Sequence, residues 1–334
     1  MEILVTFLLG AILSFAIFMY VLLDGFDLGI GILFPFIRNS LHRKTMIAAI
    51  APVWDGNETW LVLGAATLYG GFPIAYSTIL PTLYMPLIIM LAALVFRGIS
   101  FEFMFNAQKT LKLWQFFFSL GSSVAAFCQG LALGTFVQGY SEKMLLISSG
   151  HYHWFTPFTI TTGIAVMCGY ALLGSTWMLK KTEDDLQNIL YDKAKWALIF
   201  VVFFLVVVTL WTPQVDINIV TRWFSKPNFF ILLPLPLLTV IAVAWLWRAL
   251  SQKTEKLPFY LSMFIFLFSY VGFAMSVWPF IIPHIVTIWQ AAAPLDAQLF
   301  ILCGLLVLVP VLCFYTAYAY YVFRGKTSPG EEHY

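Results

Sequence analysis

The feature that most constrains this chain is a series of apolar stretches, each long enough to cross a bilayer. A transmembrane helix needs about 20 apolar residues to span roughly 30 Å of hydrocarbon. Nine stretches reach that length, near residues 3–36, 46–69, 76–97, 114–137, 154–179, 194–213, 228–248, 259–281 and 298–323. We therefore predict an all-α integral membrane protein with about nine transmembrane helices, whose polar breaks are too short for a soluble domain.

The distribution of basic residues predicts how the helices are oriented. Lys and Arg should concentrate in the cytoplasmic breaks between helices. Three of the 18 basic residues fall in one set of breaks, namely Lys143, Arg222 and Lys226. Fifteen fall in the other set: Arg38, Arg43, Lys44, Arg97, Lys109, Lys112, Lys180, Lys181, Lys193, Lys195, Arg248, Lys253, Lys256, Arg324 and Lys326. We predict an N-terminus outside and a C-terminus in the cytoplasm. The net charge of +2 offers no basic field for nucleic acid.

A short internal similarity divides the chain into two halves. The segment YVLLDGFD at Tyr20–Asp27 lines up with YALLGSTW at Tyr170–Trp177. The single domain 1–334 would then consist of a four-helix half at 1–137, a second four-helix half at 154–281 and a last helix at 298–323. The second half has no carboxylates at the positions of those in the first. We therefore expect the polar chemistry in the first half.

Four carboxylates fall within the first two predicted helices. Asp24 and Asp27 are three residues apart, and so are Asp55 and Glu58, so each pair lies on one helix face. An ionised carboxylate inside a bilayer costs about 2.5 to 3.5 kcal/mol by insertion scales, so four of them indicate a function. Counting about 1.5 Å per residue from the predicted cytoplasmic helix ends places them about 10 to 18 Å deep. We predict a proton route that begins at the cytoplasmic side.

The same residues allow other interpretations. Asp24 and Asp27 would be interfacial caps if the helix boundaries differ, and Asp55 would be the N-cap of a helix that begins later. The indoles of Trp54 and Trp60 are typical of packing or interface residues. Close to the first acids, Gly25 and Gly29 are four residues apart, which predicts a face for close helix packing.

The histidines argue against a metal site in this chain. They are predicted to lie in loops or at helix ends: His42, His151, His153, His284 and His333. A bis-histidine haem site needs imidazoles that face each other between helices, so we expect neither haem ligation nor another metal site here.

Three motifs in the first half resemble a known family. DGFDLGIG at Asp24–Gly31, APVWDGNETWL at Ala51–Leu61 and FRGISFEF at Phe96–Phe103 are similar, in order and spacing, to subunit II of the cytochrome bd-type quinol oxidases. WPFIIP at Trp278–Pro283 and the short polar tail that ends in Tyr334 agree with the resemblance. The short loops indicate a compact member, such as those of the cyanide-insensitive branch.

The resemblance implies a function within a larger complex. This chain would pair with a larger subunit I that holds two b-type haems and one d-type haem and oxidises quinol. The complex would reduce oxygen to water with protons from the cytoplasm, in the inner membrane of a bacterium. The resemblance also allows three other partners, namely a small single-helix subunit, quinone and lipid. This chain would ligate no cofactor and would be inactive alone.

The resemblance also assigns a role to the acidic motif. The segment from Trp54 to Glu58 looks like the family's proton-route segment, with Asp24 beside it, and Trp54 and Trp60 would lie near the subunit interface. Two alternatives remain. A proton-coupled secondary transporter would use the same acids but needs broken helices in both halves. A purely structural assembly subunit would need the acids for packing alone.

Overall fold

Helices account for nearly all of the described chain, which comprises residues 1–107, 109–139 and 154–327 of a computed structural model. They are α1 (Glu2–Leu33), a 3₁₀ turn (Phe34–Phe36), α2 (Ser40–Ala48), α3 (Trp54–Gly71), α4 (Pro73–Thr82), α5 (Tyr84–Asn106), α6 (Leu111–Gln138), α7 (Pro157–Lys181), α8 (Asp184–Val215), α9 (Ile217–Phe224), α10 (Asn228–Leu232), α11 (Pro234–Ser251), α12 (Leu257–Val277), α13 (Ile288–Ala291) and α14 (Leu295–Val322). A short antiparallel hairpin, β1 (Phe280–Ile282) and β2 (Val286–Thr287), precedes α13. The predicted all-α fold is confirmed.

Eight helical segments in the described ranges are long and apolar enough to cross a membrane. They are α1 with its 3₁₀ turn, α5, α6, α7, α8, the α10–α11 segment, α12 and α14. Helix α3 is not among the eight, although its 18 residues pack against both α1 and α14. The chain is a multi-pass membrane protein, and α3 corresponds to the second of the nine predicted spans, the one that is not among these eight.

Helix α1 lies at the centre of the bundle, where it contacts α3, α6, α7, α12 and α14. Its residues 22–31 are all buried. Close packing against α7 depends on two glycines, because a Cβ atom added to Gly174 would lie 2.6 Å from the carbonyl carbon of Gly29. Gly25 faces the ring of Tyr170. The predicted packing face of Gly25 and Gly29 is therefore confirmed, and its partner is α7.

The predicted span 46–69 has the wrong boundaries. Helix α2 ends at Ala48, five residues of turn follow, and α3 begins at Trp54. Pro52 lies in this turn, where it supplies no N–H for a helical hydrogen bond. The depths counted from residue 46 are therefore wrong for Asp55 and Glu58, which lie in the first turns of α3.

The predicted span 76–97 is displaced towards the C-terminus. Pro81 lies in the last turn of α4, which ends at Thr82, and α5 then runs from Tyr84 to Asn106. The distribution of charges predicts Arg97 in a cytoplasmic break, but this residue lies inside α5 with only 2% of its surface exposed. The assignment is wrong because buried carboxylates compensate the charge of this arginine.

Fifteen basic residues are predicted to be cytoplasmic, and Arg97 is one of them. Most of the others in the described ranges lie at one end of the bundle, where α1, α7 and α14 end. Contacts there join different polar breaks: Arg43 donates to Gln115 at the start of α6, Lys253 donates to Asn188 on α8, and Lys326 pairs with Glu183. We call this the basic end of the bundle.

Candidate functional site

A buried arginine joins two of the four predicted acids. Arg97 on α5 donates from Nη1 to Oδ1 of Asp24 at 2.7 Å, and from Nη2 to Oε1 of Glu58. Asp24 belongs to α1 and Glu58 to α3, so the two ion pairs connect three helices. The side chain of Asp24 is completely buried and that of Glu58 is 28% exposed. Buried charges are retained in proteins when they are paired in this way.

The third acid of the site is held by an amide. Asn57 Nδ2 donates to Oδ2 of Asp27 at 2.7 Å and to the carbonyl oxygen of Leu23 at 3.3 Å. The hydroxyl of Tyr320 on α14 donates to Oδ1 of Asn57 at 2.9 Å. Asn57 therefore links Asp27 on the central helix to the last helix. We call Asp24, Asp27, Glu58, Asn57 and Arg97 the carboxylate cluster.

The composition of the carboxylate cluster lets it hold a proton. The cluster contains three carboxyl groups and one guanidinium, which contacts two of them, and an unbalanced charge in the membrane interior costs several kcal/mol. A proton on one carboxyl group would reduce this imbalance. Oδ2 of Asp24 and Oδ1 of Asp27 are buried and have no hydrogen-bond partner among the described residues. Each of these oxygens is thus available to a proton or to water.

Asp55 does not join the carboxylate cluster. Its side chain is exposed in the first turn of α3, and Glu58 follows it by three residues. The N-cap of α3 is Val53, so the alternative interpretation of Asp55 as the N-cap is wrong, although the helix does begin later than predicted. A carboxylate in the first helical turn interacts favourably with the helix dipole. The structure thus brings three of the four predicted acids together and leaves Asp55 at the surface.

The two indoles of the acidic motif lie in different environments. The ring of Trp54 is half-buried, 6.0 Å from the guanidinium of Arg97 and 5.1 Å from the ring of Phe101. Trp60 is completely buried and packs edge-on against Phe15 at 5.6 Å. The side chain of Trp60 therefore has no surface to offer a partner subunit, and the position of the two indoles near the interface stays a prediction.

A bridge between two tyrosines extends the polar network along α1. Gln129 Nε2 donates to the hydroxyl of Tyr20 at 2.8 Å, and the hydroxyl of Tyr170 donates to Gln129 Oε1 at 2.6 Å. Tyr20 lies one turn before Asp24 on the same helix. The two tyrosines are the equivalent first residues of the internal similarity. On this basis we propose that 1–137 and 154–281 are related halves, with 298–323 as a separate last helix.

The sequence does not single out three residues in or beside the carboxylate cluster. The charge pattern predicts Arg97 in a polar break, although the apolar pattern continues after it to Met104 and indicates a helix interior. Asn57 lies within the acidic motif between two carboxylates and received no role. Tyr320 belongs to an aromatic run at the end of α14, where its spacing does not distinguish it from the exposed Tyr318 and Tyr321.

The described histidines do not fit a haem site. His42 lies on α2 at the basic end, whereas His284 lies in the hairpin turn near the opposite helix ends and contacts Asp216 at 2.5 Å. Neither lies within a membrane-spanning helix. His151, His153 and His333 lie outside the described residues. Within the described part of the chain, no group of three or more His, Cys, Asp or Glu side chains is arranged to hold a metal ion.

Comparison with known proteins gives consistent matches over most of the chain. The family model described as cytochrome bd terminal oxidase subunit II matches residues 5–323. The chain is 25% identical over 349 residues to cytochrome bd-I ubiquinol oxidase subunit 2 of Escherichia coli (strain K12), covering 91% of this chain and 90% of that protein. It is 33% identical over 186 residues to cytochrome bd ubiquinol oxidase subunit 2 of Bacillus subtilis (strain 168), covering 54% of each.

A solved structure shows the same fold. A chain of the bd oxidase from Geobacillus thermodenitrificans superposes with a TM-score of 0.71 at 15% identity. The match covers 93% of this chain and 97% of the other.

Proposed function

The chain belongs to the cytochrome bd terminal oxidase subunit II family, and from that premise we propose that it supplies a proton route to a haem-bearing subunit I. Membership of the family makes it part of a bacterial membrane oxidoreductase complex that contains haem and a partner subunit I. In our proposal this complex oxidises quinol, reduces oxygen to water and takes up protons from the cytoplasm. The N-terminus lies outside and the basic end faces the cytoplasm.

The observation that carries the proposal is the carboxylate cluster. Reduction of oxygen to water consumes protons, so a buried oxidase site needs titratable groups between it and the cytoplasm. The exposure of the acids is graded, because Asp55 is exposed, Glu58 is partly exposed and Asp24 is completely buried. Arg97 holds Asp24 and Glu58 next to each other through the two ion pairs. A proton taken up at the surface by Asp55 or Glu58 would pass to the buried acids.

The haems would be held by the partner. The two described histidines do not fit a haem, so we assign both b-type haems and the d-type haem to subunit I, where quinol would also be oxidised. This chain would then contribute proton transfer and assembly, and it would be inactive alone. Quinone, lipid and a small single-helix subunit are proposed as further contacts of its exposed apolar surface.

Replacement of single carboxylates in the purified complex tests the proton route. Asp24→Asn and Asp55→Asn keep the shape of each side chain and remove its titratable proton. We expect each variant to keep the haem spectrum while oxygen turnover and proton uptake fall by about tenfold or more. Glu102→Gln, which removes an exposed carboxylate of α5, is the matched control. Normal oxygen consumption in both Asn variants, with the complex intact, would contradict the proposal.

A purely structural role is the alternative that the ion pairs of Arg97 favour, since they tie α1, α3 and α5 together. In that case Asp24→Asn would lower the yield of complex without slowing the complex that does assemble. Turnover per haem therefore distinguishes the two roles. A proton-coupled transporter, by contrast, would co-purify with no haem.

A further inference from the structure

A small cavity lies at the basic end of the bundle, between the end of α2, the end of α7 and the last turn of α14. Its volume is about 240 Å³, and its lining includes Ala48, Val53, Trp177, Lys181, Tyr320 and Lys326. We call this cavity the vestibule. A water molecule occupies about 30 Å³ in the liquid, so the vestibule has room for several.

The outer part of the vestibule is polar. Lys326 is exposed and donates to Glu183 at 3.2 Å and to Glu255 at 2.9 Å. The hydrogen bond from Lys326 holds the pKa of the Glu255 carboxyl group below its usual value, so Glu255 stays ionised at neutral pH. The Nζ atom of Lys181 donates to the carbonyl oxygens of Phe323 and Gly325. Charged groups at this position favour a hydrated cavity.

The inner part of the vestibule reaches the carboxylate cluster through Tyr320. Tyr320 lines the cavity, and its hydroxyl donates to Asn57, which in turn donates to Asp27. Trp177, which also lines the vestibule, has a buried indole N–H without a partner among the described residues. Oδ1 of Asp27 likewise has no partner. Buried polar groups of this kind are usually satisfied by internal water.

We propose that the vestibule is a water-filled entrance through which protons reach Asp27, and that Tyr320 is the positioning residue at its inner end. The inference rests on the proposed function and adds a second entrance, one formed by this chain alone. This entrance is distinct from the one in the proposed function, where protons are taken up at the surface by Asp55 or Glu58.

The proton step at this entrance needs no other reactant. The side-chain amide of Asn57 is a poor proton relay, so a vestibule water must reach Oδ1 of Asp27 when the ring of Tyr320 turns aside. Hydronium then transfers one proton to that oxygen and leaves as water, and no electron moves. The hydroxyl of Tyr320 then donates to Asn57 again. Asn57 keeps its hydrogen bond to Oδ2 of Asp27, so that Oδ1 is the oxygen that exchanges protons with water.

Chemical blockade of the vestibule tests the entrance in the intact complex. The four native cysteines are first replaced by alanine or serine. Ala48→Cys then places a thiol on the lining, and a methanethiosulfonate reagent fills part of the cavity. We expect modification to slow proton uptake and oxygen turnover by about tenfold or more, with the haem spectrum unchanged. Leu41→Cys, exposed on the same helix, is the matched control and should be unaffected.

A second variant tests the role of Tyr320. Tyr320→Phe keeps the ring and removes the hydroxyl that fixes Asn57. We expect a lower kcat and a displaced pH profile of turnover, with the KM for quinol unchanged. Tyr318→Phe, on the exposed face of α14, should change neither. A loss of complex yield with an unchanged pH profile would show that Tyr320 is only structural and would overturn this role.

Asp27→Asn separates failure of this inference from failure of the proposed function. If this variant turns over normally, both the vestibule entrance and the role of Asp27 in the route are overturned. If it is slow while modified Ala48→Cys turns over like the unmodified protein, the vestibule is overturned and the route at Asp55 and Glu58 stands. Slow turnover in both supports the vestibule.

Discussion

Arg97 and Asp24 are 73 residues apart in the sequence, yet their side chains meet at 2.7 Å in the interior of the bundle. Neither residue is exposed by more than 2%. A charged side chain at such a position is tolerated because its partner is fixed by other helices. The position of α1 in the bundle therefore depends on the ion pair that Asp24 forms with Arg97 on α5.

Replacement of Arg97 should destabilise the complex strongly. Arg97→Met leaves Asp24 buried without its counter-ion, and loss of one partner of a buried pair costs about 3 to 5 kcal/mol. We expect a lower yield and a lower midpoint of thermal inactivation. Arg324→Met, at the exposed end of α14, should have little effect.

A double replacement checks the origin of that loss. Arg97→Met combined with Asp24→Asn removes both charges, so it should recover part of the stability that Arg97→Met loses. Equal or greater instability in the double variant would mean that the arginine acts through packing and not through its charge.

Substitution of Gly29 should disrupt the contact between α1 and α7. A methyl group at this position would collide with the backbone of Tyr170, which cannot move away as a flexible side chain can. Overpacking of a buried site costs about 1 to 3 kcal/mol or more. We expect Gly29→Ala to lower the amount of folded chain in the membrane. Gly304→Ala is the control, because no atom lies within 4 Å of the added Cβ.

The orientation of the chain can be measured by labelling single cysteines in cells. Ala297→Cys and Gln252→Cys are both exposed and lie at opposite ends of the bundle. The distribution of basic residues predicts that an impermeant thiol reagent added outside labels Ala297→Cys and leaves Gln252→Cys unlabelled. The reverse pattern would contradict the cytoplasmic position of the basic end.

Expression without subunit I should give a colourless and inactive protein. Neither His42 nor His284 lies within a membrane-spanning helix, and a b-type haem usually needs at least one imidazole ligand. The surface that subunit I covers in the proposed complex would also be left without its partner. We expect low yield, rapid degradation and no haem absorption. A stable red protein that contains haem would refute this prediction.

The sequence predicts the helices whose apolar pattern is uninterrupted. Helices α1, α6 and α7 begin and end within about three residues of the predicted bounds. The pairing of Asp24 with Asp27 on one face also follows from their spacing. The prediction failed where local hydropathy and tertiary contacts disagree. Arg97 resembles a loop residue until its two carboxylate partners are known, and those partners come from helices far away in the sequence.

The position of Asn57 shows the same limit. Its role depends on Tyr320, which lies 263 residues later and is one of several tyrosines on α14. Hydropathy and spacing describe residues close together in the chain, whereas this contact is created by the packing of the first helices against the last. Only the folded structure identifies which tyrosine of α14 turns inwards.

The ion pair between Asp24 and Arg97 also has a consequence for biogenesis. Translation proceeds at about 5 to 20 residues per second, so the 73 residues from the one after Asp24 up to and including Arg97 take about 4 to 15 s to synthesise. During that interval the first helix has left the ribosome while its arginine has not. The nascent first helix therefore carries Asp24 without its counter-ion until the fifth helix arrives.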